Sequence, residues 1–114
     1  MTRNFLVPHD FTEVGDSAVK QGVYLAKATQ SSLSLLHIVK SDKYKAEAEA
    51  KLKVIKTKVQ KDYPGVDIKL YVVKGDIFED IGKTAQQLRS SLIIMGTHGA
   101  KGMQKVFGSF AMKV

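Results

Sequence analysis

Four short apolar runs recur along this chain, and each is separated from the next by a longer amphipathic stretch. The runs are "NFLVPHD" (4–10), "SLSLLHIV" (32–39), "VDIKLYVVK" (66–74) and "LIIMG" (92–96). Between them lie "FTEVGDSAVKQGVYLAKATQ" (11–30), "DKYKAEAEAKLKVIKTKVQKDY" (42–63) and "IFEDIGKTAQQLRSS" (77–91). Runs this short and this apolar fit strands covered on both sides, and parallel strands need a crossover helix between them. The order β-α-β-α-β-α-β, followed by a loop and a last helix at 109–114, therefore predicts an α/β fold. Its sheet is open, mostly parallel and twisted, with helices on both faces in a Rossmann-like arrangement.

The helical stretches support this order. In 11–30, Ala18, Val19, Gly22, Leu25 and Ala26 share a face, with Ser17 or Asp16 as the expected N-cap. Gly22 weakens the helix locally and permits close approach to a neighbour. In 42–63, Ala48, Leu52, Ile55 and Val59 form the apolar stripe, and Glu47–Lys51 and Glu49–Lys53 are favourable i,i+4 pairs. Pro64-Gly65 stops that helix. Ile77, Ile81, Ala85 and Leu88 make the third stripe, with Asp76 as a natural N-cap. The alternation in 66–74 leaves one more polar face and suggests a strand nearer an edge. The 114 residues, without linker or repeat, read as one domain over 1–114.

Composition narrows the chemistry. The chain has no cysteine, which excludes disulfides, thiolate metal sites and cysteine nucleophiles. No stretch has the apolar length of a transmembrane helix, and the N-terminus lacks a secretory pattern, so a cytoplasmic protein without a membrane partner is expected. The net charge of +7, from 18 Lys and Arg against 11 Asp and Glu, favours anionic partners without choosing among them.

The choice is made by two segments that leave strands at their carboxyl ends, where open α/β sheets bind ligands. One is "PHDFTE" after the first strand. The other is "MGTHGAKGMQKVFGSF" (95–110), with glycines at 96, 99, 102 and 108. Glycine there lets a ligand approach backbone amides, and amides leading into a helix start form an anion site. Gly108-Ser109 suits such a start, Lys101 and Lys105 add positive potential, and the His98 ring N–H is a further donor. The alternative is a plain glycine turn. Neither a Walker A loop nor the dinucleotide fingerprint is present.

At these residues the sequence resembles the universal stress protein family. "VPHDFTE" is similar to that family's first strand and D-F-[ST] turn, "LSLLHIV" to its second strand, and "IIMGTHGAKGMQKVFGSF" to its nucleotide loop, G-x2-G-x9-G-[ST]. The resemblance implies an adenine-nucleotide α-hydrolase-like fold that binds ATP or a related adenosine nucleotide, with or without Mg2+. It implies Asp10 beside the base and ribose and Ile38 on the adenine wall. Gly96 and Gly99 would open the phosphate loop, and Gly108 and Ser109 would close it. Two departures stand out. Eight residues separate Gly99 from Gly108 where the family pattern has nine. The family's usual fifth strand, often its dimer contact, is not expected before Val114. The chain then reads as a short form, a truncated piece or part of a longer or tandem protein. The uncovered edge predicts a homodimer or higher oligomer through residues near 105–114.

Other polar residues give weaker signals. His9 and His98 both follow strand ends, but without metal-ligand spacing no metal site is expected. His37, inside an apolar strand, reads as a core histidine, and Met95 as packing. Asp10 with Glu13 reads as a binding carboxylate and a helix-start charge rather than an acid–base pair. No catalytic residue is identified, so any ATP hydrolysis should be slow. The lysines of 42–63 interleave with Glu47 and Glu49, and aromatic residues are sparse there, which sets nucleic acid aside. The expected function is an ATP-binding regulatory module of the stress response. The alternative is a stress or scaffolding protein that acts by dimerisation without a nucleotide.

Overall fold

The computed structural model describes residues 3–96 and 104–108. Strand β1 (Asn4–Pro8) leads into helix α1 (Glu13–Thr29), strand β2 (Ser32–Val39), a 3-10 turn at Asp42–Tyr44 and helix α2 (Lys45–Asp62). Strand β3 (Ile68–Lys74), helix α3 (Ile77–Leu88), strand β4 (Leu92–Gly96) and strand β5 (Gln104–Gly108) follow. The sheet order is β3-β2-β1-β4-β5. β1 through β4 are parallel, and their two-way winding from β1 puts helices on both faces. The edge position read from the polar face of 66–74 is the one β3 takes.

Alternation along the strands divides the core. Phe5, Val7, Leu33, Leu35 and Ile94 pack with Ala18, Val19 and Val23 of α1 and Leu52 of α2 on one face. Leu6, Leu36 and Ile93 pack with Ile81 and Ala85 of α3 on the other. A Cβ on Gly22 would lie 2.9 Å from Leu33 Cδ1 and 3.0 Å from Val7 Cγ2, so α1 sits closer to the sheet there than any side chain allows.

Of three local expectations, two change and one is met. α1 starts at Glu13 with Thr12 at the N-cap, a turn earlier than an Asp16 or Ser17 cap would give. The reason is the turn before it, which already positions Thr12. Asp76 does cap α3, its Oδ1 accepting the Glu79 N–H at 3.2 Å. The second change is larger. Residues 104–108, read from sequence as loop, form β5 antiparallel to β4, with Gly96 opposite Gln104 and Leu92 opposite Gly108. The four parallel strands are as expected, and this antiparallel strand takes the β4 edge. The helix predicted for 109–114 lies outside the described residues.

A buried polar cluster ties the amino ends of the strands. Asn4 Nδ2 donates to Ser32 Oγ at 3.0 Å and Ser34 Oγ at 2.8 Å, and Ser90 Oγ donates to Asn4 Oδ1 at 2.8 Å. Ser34 and Ser90 are fully buried, so these bonds replace water that the groups have lost.

Candidate functional site

The site begins where β1 stops. The His9 N–H donates to Leu36 O at 2.8 Å, carrying the β1–β2 pairing one residue further. The chain then turns through Phe11, which adopts a left-handed φ of 65°. Two side chains hold that turn. His9 Nδ1 accepts the Phe11 N–H at 2.8 Å, and Asp10 Oδ1 accepts the Thr12 N–H at 3.1 Å and the Thr12 hydroxyl. Since Nδ1 accepts, the neutral His9 ring carries its proton on Nε2, which donates to Asp16 Oδ1 at 3.0 Å. His9 is buried, and its ring lies against Gly15, where a Cβ would come within 3.0 Å of three ring atoms.

His37 completes the frame from β2. Its Nδ1–H donates to His9 O at 2.7 Å, which leaves Nε2 as the acceptor of the neutral ring. The Phe11 ring packs on His37 with centroids 4.1 Å apart, and Lys51 Nζ lies 5.1 Å from the Phe11 centroid.

These residues frame a cleft of about 220 Å³ at the carboxyl ends of β1, β2 and β4. Pro8, Leu36, Ile38, Ile77, Ile81 and Met95 give it apolar walls, and His9, Asp10 and His37 give it a polar side. Ile38 and His37 also line a second cavity of about 260 Å³ on the α2 side, with Phe11, Tyr44 and Lys51. An apolar slot with a few convergent polar groups suits a flat heterocycle carrying hydroxyls. Among the described residues no group of three or more His, Asp or Glu could hold a metal ion. No helix among them is long and apolar enough to cross a membrane.

The residues expected to bind ligand are distributed unevenly. Asp10 and Ile38 meet in the cleft. Gly96 ends β4 close to it, next to the wall residue Met95. Gly108 is elsewhere. Paired with Leu92, it stands four residues back along β4 from Gly96, about 13 Å at a strand's rise. Its expected place at a helix start closing the loop is therefore corrected: β5 carries it toward the amino end of β4. His98, Gly99, Lys101 and Ser109 lie outside the described residues. Sequence reading did not place His9, Ile77, Ile81 or Met95 at the cleft, which all four line. Only the Gly15 spacing, six residues after His9, offered a signal, and a helix-start glycine has many other causes.

The model of the universal stress protein family matches residues 1–114. No significant match to a curated protein was found. Several solved structures share the fold. A universal stress protein from Archaeoglobus fulgidus superposes with a TM-score of 0.68 at 22% identity, over 85% of this chain and 33% of that one. This chain thus spans a third of that relative's length. A universal stress protein solved in complex with cAMP gives a TM-score of 0.73 at 18% identity, covering 86% and 74% of the two chains. The protein MJ0577, the subject of a structure-based assignment of biochemical function, gives 0.67 at 28% identity, covering 90% and 80%.

Proposed function

The chain belongs to the universal stress protein family, and from that premise we propose that it is a cytoplasmic regulatory module binding ATP or a related adenosine nucleotide. The base lies between Ile38, Met95 and Pro8, and Asp10 accepts hydrogen bonds from the ribose hydroxyls. The observation that carries this reading is the cleft itself, where apolar walls and one carboxylate converge at the carboxyl ends of β1, β2 and β4. Its volume is just under the range of about 300–1,000 Å³ usual for small-molecule pockets. That size suits a nucleoside, with the phosphates running out toward Gly96. The cAMP complex of a relative with the same fold adds support.

In this reading the protein senses a nucleotide rather than turning it over. Asp10 is already engaged with the Thr12 N–H and hydroxyl, so it is a fixed acceptor rather than a base poised for proton transfer. Binding is reported through self-association. β5 is paired on one side only among the described residues and offers its outer edge to a second copy. A second reading, a dimerising scaffold without nucleotide, draws on the place of Gly108, which β5 removes from any loop beside Gly96.

Titration calorimetry with ATP, ADP, cAMP and GTP separates the two. Micromolar binding of an adenosine nucleotide, weakened in Asp10→Asn, supports the first. Absence of heat with all four, in a protein that still dimerises by light scattering, supports the second.

A further inference from the structure

Sequence reading set nucleic acid aside because acids interleave with the lysines of 42–63 and aromatic residues are sparse there. The fold changes both grounds. α1 and α2 cover the same sheet face, and as crossovers between parallel strands both start at the carboxyl ends of those strands. Their acids gather near those starts, with Glu13 and Asp16 on α1 and Glu47 and Glu49 on α2. Farther along, α1 carries Lys20 and Lys27. Lys51 of α2 pairs with Glu47 at 3.2 Å, but beyond it α2 carries Lys53, Lys56, Lys58 and Lys61 with no acid among them and Asp62 next after.

The fold also brings aromatic rings to this face. Tyr24 of α1 is 71% exposed and Tyr63, just after α2, is 37% exposed. Although 39 positions apart in sequence, they line one groove with Lys20 and Lys27, and Lys27 Nζ lies 5.9 Å from the Tyr63 ring centroid. The outer side of α2 adds a shallow depression lined by Lys53, Lys58 and Lys61 around exposed Val54. One exposed tyrosine is ordinary. Two in one groove, on the face that also carries Lys53, Lys56, Lys58 and Lys61 with no acid between them, match what single strands require, cations along the backbone and rings on which bases stack.

We propose that the face formed by α1 and the lysine-rich length of α2 binds single-stranded nucleic acid. Lysines contact the phosphates, and Tyr24 and Tyr63 stack on bases. An acidic protein would satisfy the lysines but would leave the exposed rings without a purpose. This face lies away from the nucleotide cleft, and the inference does not rest on that reading.

The test is fluorescence anisotropy of a labelled 20-nucleotide deoxythymidine strand, with an equal-length duplex and polyglutamate as competitors. The expected result is saturable binding that weakens steeply with salt, with the strand preferred to both competitors. Tyr24→Ala should weaken binding about fivefold or more while Tyr24→Phe retains it, since stacking needs the ring and not the hydroxyl. Lys58→Glu should weaken binding well beyond Lys83→Glu, which makes the same charge change at an exposed position of α3. Circular dichroism confirms that the variants fold. Equal effects of the two lysine variants, no effect of Tyr24→Ala, or equal competition by polyglutamate would each overturn the proposal. The last would indicate an acidic protein partner.

Discussion

His9 Nε2 lies 3.0 Å from Asp16 Oδ1, joining the end of β1 to the first turn of α1 across the turn that presents Asp10. The same ring accepts the Phe11 N–H, so one buried histidine fixes both the left-handed turn and the helix that follows it. A left-handed residue other than glycine costs about 1–3 kcal/mol and persists only when its surroundings fix it. Here the ring supplies that constraint.

Replacing His9→Leu keeps much of the bulk but removes both ring nitrogens. The Phe11 N–H loses its acceptor, and Asp16, exposed, returns to water. The expected loss is about 1–3 kcal/mol, the cost of an unsatisfied buried donor, read as a lower urea midpoint. A change under about 0.5 kcal/mol would mean that the turn holds without the ring. In the native protein, 15N spectra at neutral pH should show the Nε2–H tautomer of His9 and the Nδ1–H tautomer of His37.

Gly15 makes room for that ring. Gly15→Val would drive a branched side chain into His9, which two hydrogen bonds hold in place. Overpacking of this kind costs about 1–3 kcal/mol. Nucleotide affinity should fall with it, because the displaced ring shifts Asp10. A folded Gly15→Val protein of native affinity would separate the clamp from the cleft.

Asp10→Asn tests the carboxylate with little disturbance to the turn, since an amide oxygen can still accept the Thr12 N–H. A hydrogen bond to a charged acceptor contributes about 1.5–3 kcal/mol. Adenosine nucleotide affinity should therefore drop by about tenfold or more in calorimetry, with the thermal midpoint nearly unchanged. Unaltered affinity would remove Asp10 from the site.

Asn4→Ala removes the hub of the buried cluster at the other end of the sheet. Ser32, Ser34 and Ser90 would each lose a partner, and two of these hydroxyls are fully buried. Unfolding free energy should fall by about 2 kcal/mol or more, with no effect on ligand binding when the variant is folded. An equal loss in a variant that also carries Ser90→Ala would show that the bonds act as one network.

β5 can be checked directly. The alternate amides of 104–108 that face β4 should exchange slowly, and cross-strand NMR contacts should join Ile94 to Val106 and Met95 to Lys105. Fast exchange throughout 104–108, with helical contacts after Gly108, would instead restore the loop read from sequence.

The sequence by itself determined the layered plan. Four apolar runs alternating with amphipathic helices admit few arrangements once parallel strands need crossovers, and the same rule brings Asp10 and Ile38 to the carboxyl end of the sheet. Patterns that act within one element, such as the α2 stripe or the Asp76 cap, were equally legible. What only the tertiary structure decided lies between elements. No spacing signals that Asn4 meets Ser90, 86 positions away, or that Tyr24 and Tyr63 share a groove. Nor does local composition distinguish a glycine-rich loop from an antiparallel strand when the decision is whether 104–108 pairs with β4. Pairing of that kind satisfies backbone groups on two segments at once. Its free energy belongs to the pair and cannot be read from either segment alone.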